Sequence, residues 1–244
     1  MLRPLISVIT VVYDARKTLE ATIQSVLSQN SDLFEYWIID GGSTDGSVDL
    51  IHKYEHKLAG WFSEADAGIY DAMNKGIDKA NGEWIYFLGG DDILRPDVLK
   101  DVQPYLDSKY SAVFGDVFFD NGHHFRSFLG KRTLLQNTIH HQSAFYNNSL
   151  FTSFRYDTKL SIVSDYEMNL QLYIHNMPIR YIPIIIANCA TGGASSFLSR
   201  SLVETNKVRS KYIKPKWKNK FLSLLLSIYY AQKRIRLFLY GHRV

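Results

Sequence analysis

The first hundred residues alternate between strand-like and helix-like segments, and this alternation constrains the fold more than any other feature of the sequence. The predicted strands are Leu5 to Tyr13, Tyr36 to Asp40 and Trp84 to Leu88, and the predicted helices are Arg16 to Gln29, Ser47 to Tyr54 and Ile69 to Ala80. Strands that alternate with helices predict a parallel sheet covered by helices on both faces. Ligands bind such sheets at the carboxyl ends of the strands.

The second half of the chain is less regular. Helical spacing predicts helices from Leu94 to Leu106 and from Ser164 to His175. Strand-like runs lie at Ala112 to Phe119 and at Ile182 to Ala187. No internal repeat is visible, so these segments are expected to extend the same α/β fold.

Composition excludes several classes of protein. With 46% hydrophobic and 21% charged residues, the 244-residue chain is globular and not disordered. The single cysteine, Cys189, excludes an intrachain disulfide and a cysteine-ligated zinc site, and it favours a cytoplasmic location. The longest apolar stretch, Phe221 to Ala231, is too short to span a bilayer. No Gly-x-Gly-x-x-Gly motif follows the first strand, which excludes the NAD-binding fingerprint.

Charge is distributed unevenly along the chain. Residues 200–244 contain 12 Lys or Arg and one acidic residue, Glu204, which gives +11, and the remaining 16 basic and 23 acidic residues give −7. Such a basic tail predicts an anionic partner, which could be a membrane surface, a nucleic acid or a phosphorylated substrate. Its apolar residues recur at helical spacing at Phe221, Leu225, Ile228, Ile235 and Leu239. An amphipathic helix at a membrane and a helix packed on the body both fit this pattern.

Carboxylates follow the predicted strands. Asp14 and Asp40 come after the first two strands, and Asp91 and Asp92 follow the strand that ends at Leu88. Two adjacent carboxylates can hold a hard divalent cation together with a substrate phosphate. The same dipeptide can also be a turn that caps the next helix.

Several ordered motifs resemble glycosyltransferase family 2, the inverting, nucleotide-sugar-dependent enzymes of GT-A fold. They are PLISVITVVYD at 4–14, TIQSVLSQ at 22–29, IIDGGSTDGS at 38–47, SEADAGIYDAMNKGI at 63–77 and FLGGDD at 87–92. The last two are similar to the branch that builds bacterial surface polysaccharides. The resemblance implies a Rossmann-like, mostly parallel central sheet flanked by helices, to which the charge and spacing of the tail add a helical basic extension.

The resemblance also implies a donor site. Thr10, Val12 and Tyr13 would line the base pocket, and Asp40 would accept a hydrogen bond from a base imide N–H, which favours uridine. The alternative for Asp40 is a turn-capping role. The residues expected to face the ribose, the diphosphate or the donor sugar are Asp66, Asn74, Lys75, Gly90 and Asp91. Lys75 could equally be a solvated surface residue.

The expected cofactor is Mn²⁺ or Mg²⁺. Asp91 matches the last Asp of the family's Asp-x-Asp metal motif, and Asp92 follows it as a second candidate ligand. Gly89 replaces the first Asp of the motif. Metal affinity is therefore expected to depend on the diphosphate of the donor.

For catalysis, the resemblance places Asp165 at the position of the base that deprotonates the acceptor hydroxyl. The alternative is a carboxylate that merely stabilises the helix N-terminus. The resemblance brings His141 and Gln142 to the acceptor, and the alternative for the histidines at 140 and 141 is a surface position. The sequence thus predicts transfer of a sugar, favouring a UDP-sugar, to a glycan or lipid-linked glycan.

The sequence predicts three segments with different functions. Residues 1–100 form a nucleotide-sugar-binding half, 101–199 an acceptor-binding half of the same domain, and 200–244 the basic amphipathic extension. Residues 207–244 are expected to bind an anionic membrane surface at the inner face of the plasma membrane, with no nucleic-acid partner. The alternatives are a nucleotidyltransferase of related fold, which would need a basic Gly-rich loop after the first strand, and a non-catalytic glycan- or nucleic-acid-binding module.

Overall fold

A computed structural model describes residues 3–30, 32–192 and 198–240. Nine strands form one sheet in the order β3-β2-β1-β4-β8-β6-β9-β5, and β7 pairs with β6. The strands are β1 Ile6–Val12, β2 Phe34–Asp40, β3 Gly60–Ser63, β4 Trp84–Gly89, β5 Ile93–Leu94, β6 Ala112–Phe119, β7 His124–Phe125, β8 Ala144–Asn147 and β9 Ile179–Cys189.

Seven α-helices accompany this sheet in the described part of the chain. They are α1 Leu19–Leu27, α2 Ser47–Tyr54, α3 Ile69–Lys79, α4 Val98–Val102, α5 Ser164–Ile174, α6 Leu198–Tyr212 and α7 Lys216–Tyr240. Most strands and helices predicted from the sequence are present with ends shifted by a few residues. The alternation of the first half therefore predicts the architecture correctly.

The helix predicted from Leu94 to Leu106 is wrong over its first turn. Leu94 belongs to β5 and pairs with Ala187 of β9, and the Arg95 N–H donates to the Ile186 carbonyl. Pro96 then disfavours helical geometry at the preceding residue, so α4 begins only at Val98. Tertiary pairing overrides the helical spacing of the apolar residues here.

The sheet is mostly parallel. β1 pairs in parallel with both β2 and β4, β2 with β3, and β6 with β9. β8 runs antiparallel between β4 and β6, so these two strands share one direction. Six strands thus run the same way, and only β5, β7 and β8 are reversed.

The sequence analysis assigned no strand at Ala144–Asn147, where β8 lies. All four of its residues are buried, so the strand has no polar-out alternation to reveal it. β8 nevertheless joins the two halves of the chain, because it pairs with β4 on one side and β6 on the other.

Helices bury both faces of the sheet. On β1, Ile6 and Val8 contribute to a core that includes Ile23 of α1, whereas Ile9 contributes to a second core with Met73 of α3. This two-sided burial explains the nearly continuous apolar run in β1. It also leaves the strand ends as the place where polar side chains can reach solvent.

The carboxyl ends of β1, β2 and β4 meet at one edge. Val12 is in register with Asp40 of β2, and Val11 with Gly89 of β4. The turns that follow these three strands are therefore neighbours, as the parallel sheet predicts.

The C-terminal extension is helical and its first helix is part of the body. Val208 of α6 packs against Tyr166 and Leu170 of α5, and Glu204 accepts the N–H groups of Ser161 and Ile162. Of the two alternatives given for the tail, α6 thus shows the helix packed on the body. In the described ranges, no helix is long and apolar enough to cross a membrane.

Candidate functional site

A cavity of about 920 Å³ opens where β1, β2 and β4 end. Its lining comes from residues of four segments, which are 11–18 at the end of β1 and after it, 41–45 after β2, 65–72 before and within α3, and 89–91 at the end of β4. Val12, Tyr13 and Gly90, all predicted donor residues, line this cavity. Tyr13 is 69% exposed, so its ring is available to a ligand.

The cavity is strongly acidic. Its lining contains one cation, Lys17, and four carboxylates, which belong to Asp14, Asp45, Asp66 and Asp91. A diphosphate placed among these groups would be repelled unless a cation lay between them. This excess of negative charge is the main electrostatic property of the site.

Thr10 and Asp40 lie elsewhere. Thr10 is fully buried, and its hydroxyl exchanges a hydrogen bond of 3.0 Å with the Tyr36 hydroxyl. The Asp40 carboxylate accepts the N–H groups of Gly42 and Ser43, at 3.0 and 2.9 Å, and the Ser63 hydroxyl at 2.6 Å. Neither side chain is among the residues that line the cavity, and the base contacts of both stay predictions. Asp40 holds the turn after β2, which was its alternative role.

Asp66 does reach the cavity, and Gly41 makes this possible. A Cβ at position 41 would lie 2.5 Å from Asp66 Oδ2, so only glycine lets the carboxylate lie against the turn. The Gly68 N–H donates to Asp66 Oδ1 at 2.8 Å. The side chain is thus held just before the N-terminus of α3, in the same cavity lining as the end of β1.

Asn74 and Lys75 are engaged in structural contacts. The Asn74 amide donates to the Tyr156 carbonyl at 2.9 Å and accepts the Tyr156 N–H at 3.0 Å. The Lys75 ammonium pairs with Glu64 at 2.8 Å and with Asp71 at 3.3 Å, and the Glu64 hydrogen bond is the main cause of its raised pKa. Neither residue is among those that line the cavity, and their donor contacts stay predictions.

Asp91 and Asp92 point in different directions. Asp91 is exposed in the cavity, and no donor among the described residues holds its carboxylate. Asp92 is 3% exposed and accepts the Ala190 N–H at 3.0 Å and the Gln142 amide at 2.7 Å. Burial, followed by the charge of Asp91, raises the pKa of Asp92 to about 6. The Asp92 oxygens thus join the turn after β4 to Gln142 and to the residue that follows β9, and the metal role of Asp92 stays a prediction.

The residues present fit a cation only in part. In the part of the chain that the structure describes, no three His, Cys, Asp or Glu side chains are grouped closely enough to hold a metal ion. A Cβ at Gly89 would lie 2.9 Å from Asp91 Oδ1 and 2.7 Å from Asp92 Oδ2, so a first Asp at this position would crowd both carboxylates. Among the described residues that line the cavity, Asp91 is thus the one carboxylate without a hydrogen-bond donor, and the hard oxygen donors of a diphosphate would have to complete the set.

Asp165 lies in the first turn of α5, next to the first turn of α3. Tyr70 donates to its Oδ1 at 3.1 Å, and the Asn137 amide donates to its Oδ2 at 2.7 Å. Burial raises the pKa of Asp165 to about 6, against the effect of these donors. Asp165 does not line the cavity itself. Its partner Tyr70 lies between Ile69 and Ala72 in the sequence, and both of these residues line the cavity. A carboxyl with this pKa is ionised at neutral pH and can still take up a proton.

His141 and Gln142 are half-buried and make contacts within the protein. Both ring nitrogens of His141 are buried without a partner, and its ring stacks on Phe87 at 5.2 Å. Burial lowers the pKa of His141 to about 3, so the ring is neutral. The Gln142 amide donates its hydrogen bond to Asp92. The acceptor contacts of His141 and Gln142 stay predictions.

Four residues of the site were not predicted from the sequence. Lys17 and Asp45 line the cavity, and their signal was their place in the turns after β1 and β2. Tyr70 lies inside the quoted motif of α3, but only the fold shows that its hydroxyl meets Asp165. Asn137 lies in an irregular loop where no pattern marked it.

The sheet order, the cavity at the strand ends and the carboxylate that follows β4 define the GT-A class of nucleotide-sugar enzymes. The model of the family "Glycosyl transferase family 2" matches residues 7–173. The chain belongs to glycosyltransferase family 2, and it is a glycosyltransferase by that membership. This confirms the resemblance read from the motifs.

Two relatives illustrate the membership. A PGL/p-HBAD biosynthesis glycosyltransferase of Mycobacterium bovis is 31% identical over 215 residues, which cover 84% of this chain and 82% of the relative. The putative teichuronic acid biosynthesis glycosyltransferase TuaG of Bacillus subtilis is 38% identical over 101 residues, which cover 40% of each chain.

Solved structures share the fold at low identity. S. aureus TarS 1-349 in complex with UDP has a TM-score of 0.68 at 17% identity, and the match covers 97% of this chain and 72% of TarS. The mannosyltransferase PcManGT of Pyrobaculum calidifontis, in complex with GDP-Man and Mn²⁺, has a TM-score of 0.65 at 16% identity and is matched over 92% of this chain and 70% of its own. At such identities these structures support the GT-A fold.

Proposed function

We propose that the chain transfers a sugar, with inversion, from a nucleoside diphosphate donor bound in the acidic cavity. The observation that carries the proposal is the meeting of the β1, β2 and β4 ends around a cavity with a free carboxylate, Asp91. In this proposal the half formed by residues 1–100 binds the donor, and the half formed by 101–199 binds the acceptor.

A divalent cation, Mn²⁺ or Mg²⁺, would bind jointly with the donor. Asp91 would be its protein ligand, and among the described residues Lys17 is the only cationic side chain at the lining of the cavity. When bound, the metal neutralises the diphosphate and makes it a better leaving group. Because a single carboxylate makes a weak site, we expect little metal binding in the absence of nucleotide.

Asp165 is the proposed base. In the transfer step, the acceptor hydroxyl oxygen bonds to the anomeric carbon, the bond from that carbon to the diphosphate oxygen breaks, and the diphosphate leaves with the electron pair. The hydroxyl proton passes to the Asp165 carboxylate. Tyr70 and Asn137 hold this carboxylate in one orientation through their hydrogen bonds.

UDP is the proposed nucleotide, supported by the UDP complex of TarS, a protein of the same fold. With Asp40 committed to its own turn, Val12, Tyr13 and Asp66 remain as the candidate contacts to the nucleoside. PcManGT binds GDP-Man on this fold, so guanosine is the competing base.

The proposed acceptor is a glycan or a lipid-linked glycan of surface polysaccharide or glycolipid synthesis. Its support is the description of the relatives, one of which acts in PGL/p-HBAD biosynthesis and another, putatively, in teichuronic acid biosynthesis. A lipid-linked acceptor would place the reaction at the cytoplasmic face of the plasma membrane.

A panel of UDP-, GDP- and dTDP-sugars tests the proposal. We expect slow release of nucleoside diphosphate from one UDP-sugar in the presence of Mn²⁺, and loss of that release in Asp91→Asn. Asp101→Asn is the matched control, because Asp101 is an exposed carboxylate of α4 that does not line the cavity. Release that is equal in all three proteins would contradict the proposed site, and release from a GDP-sugar alone would contradict the choice of uridine.

A further inference from the structure

α7 presents apolar residues to two opposite sides. Leu222 and Leu226 are buried against the body, with 9% and 2% of their surface exposed. The opposite side is open: Trp217 is 68% exposed and Leu224 58% exposed. The fold therefore uses only one of the two apolar sides of this helix.

The exposed residues form one continuous stripe, which we call the α7 stripe. Its members are Trp217, Phe221, Leu224, Leu225 and Ile228. Since each helical residue advances by about 100°, these positions lie within roughly one third of the circumference, and Leu222 and Leu226 lie opposite. Five large apolar side chains on one face exceed the single exposed residues that a soluble surface ordinarily carries.

Lysines border the α7 stripe on both sides. By the same helical geometry, Lys216 and Lys220 lie along one edge and Lys218 along the other, and all three are exposed. Glu204 is the last acidic residue of the chain, so the segment 205–244 contains no carboxylate side chain that could neutralise them. The surface combines an apolar centre with a positive rim.

The contacts of the helix keep the α7 stripe turned outward. The Arg209 guanidinium donates to the Ser223 hydroxyl at 2.7 Å, and Arg132 donates to the Tyr229 hydroxyl at 3.0 Å. With Leu222 and Leu226 packed on the body, these hydrogen bonds fix the rotation of α7 about its axis. Covering the α7 stripe therefore requires a partner from outside the described fold.

We propose that the α7 stripe is a docking surface for an anionic phospholipid bilayer, with the helix lying parallel to the membrane in the headgroup region. A membrane is complementary to both parts of this surface, because acyl chains can contact the apolar centre and phosphate headgroups can pair with the lysine rim. A second copy of the chain would instead bring two positive rims together. The proposal extends the proposed function, since a lipid-linked acceptor lies in a membrane, but its support comes from α7 and not from the cavity.

Co-sedimentation of the full chain with vesicles tests the docking surface. The probes are vesicles of phosphatidylcholine with and without phosphatidylglycerol. We expect the wild type to sediment with the anionic vesicles only, and the double variant Phe221→Ser/Leu224→Ser to bind them roughly tenfold more weakly. The control is Val203→Ser, which removes an exposed apolar side chain of α6 outside the α7 stripe and should bind like the wild type.

The thermal shift with UDP and Mn²⁺, measured on the same proteins, separates the two claims. An unchanged shift in the double variant shows that the fold and the nucleotide site are intact. Equal vesicle binding by the double variant and the wild type would overturn the docking surface, as would a wild-type dimer that the double variant converts to a monomer. A wild type that binds vesicles without any nucleotide response would support the docking surface and count against the proposed function.

Discussion

At the scale of single residues, Asp165 has the environment of a proton acceptor. Burial raises its pKa to about 6, and hydrogen bonds from Tyr70 and Asn137 oppose that effect. A higher pKa increases basicity, while the two donors keep the carboxylate ionised at neutral pH. Asp92 has a similar pKa but is committed to Ala190 and Gln142, so its environment serves the fold.

Asp165→Asn removes the proton acceptor and retains the shape of the side chain. We predict that the rate of sugar transfer falls by about 10² to 10⁴ while the affinity for UDP changes little. Single-turnover transfer and calorimetric UDP titration measure the two quantities. Turnover close to that of the wild type would assign the proton to another group.

Tyr70→Phe removes a donor that lowers the pKa of Asp165. In the wild type, transfer should fall as the pH drops through about 6, because Asp165 becomes protonated. In Tyr70→Phe this acid limb should move to higher pH, because the ionised carboxylate loses a stabilising hydrogen bond. The pH profile of transfer measures the shift, and Tyr36→Phe, whose hydroxyl bonds to Thr10, serves as the control. An acid limb at the same pH in both proteins would show that it does not report the protonation of Asp165.

Asp40 shows what sequence reasoning can and cannot reach at this scale. Its position after β2 was predictable, because the strand pattern ends there. The hydrogen-bond partners of its carboxylate could not be predicted, because the turn 41–43 folds back to supply two N–H groups and β3 supplies the Ser63 hydroxyl. The same limit applies to Asn74, whose partner Tyr156 lies far along the chain.

At the scale of elements, helix packing on the sheet depends on close contacts. α3 crosses β1 and β2 at Gly76, where a Cβ would lie 2.5 Å from Ile9 Cγ2 and 3.3 Å from Ile39 Cγ1. Residues at the end of β1 and after β2 line the cavity, and α3 begins at its edge. The packing of one helix thus controls the spacing of the site.

Gly76→Ala tests this packing. Alanine would stabilise the helix by about 0.5 to 1 kcal/mol through its higher propensity. Overpacking in a filled core costs about 1 to 3 kcal/mol, so we predict a net loss of stability. Denaturant unfolding measures it, with Lys79→Ala at an exposed position of α3 as the control. Increased stability of Gly76→Ala would show that α3 has room to move.

At the scale of the whole molecule, the tail divides at residue 214. α6 covers Tyr166 and Leu170, and Lys211 pairs with Asp157 at 2.9 Å and with Glu167 at 3.1 Å. Deleting 207–244 removes these contacts, whereas deleting 216–244 leaves them in place. We predict that the longer deletion lowers Tm by roughly 5 to 15 °C more than the shorter one. Calorimetry of the two truncated chains measures the difference, and equal Tm values would make α6 a dispensable appendage.

The architecture was predictable from the sequence wherever local patterns and the global fold agree. The strands β1, β2 and β4 and the helices α1, α2 and α3 follow from alternation, and the motifs add the GT-A class. The strands β3, β5, β7 and β8 escaped because each has four residues or fewer, and their assignment depends on pairing with other strands of the sheet. The location of the site at the strand ends could thus be predicted from the sequence. Which of its side chains line the cavity and which make structural contacts could be seen only in the structure.

The most direct test of the account is the affinity for UDP measured by calorimetry with Mn²⁺ and with EDTA. The cavity carries four carboxylates and one lysine, so a diphosphate needs a cation to enter it. We predict UDP binding that is at least roughly tenfold tighter with Mn²⁺ than with EDTA, and loss of this difference in Asp91→Asn. UDP binding of equal strength under both conditions, in wild type and variant alike, would contradict the account.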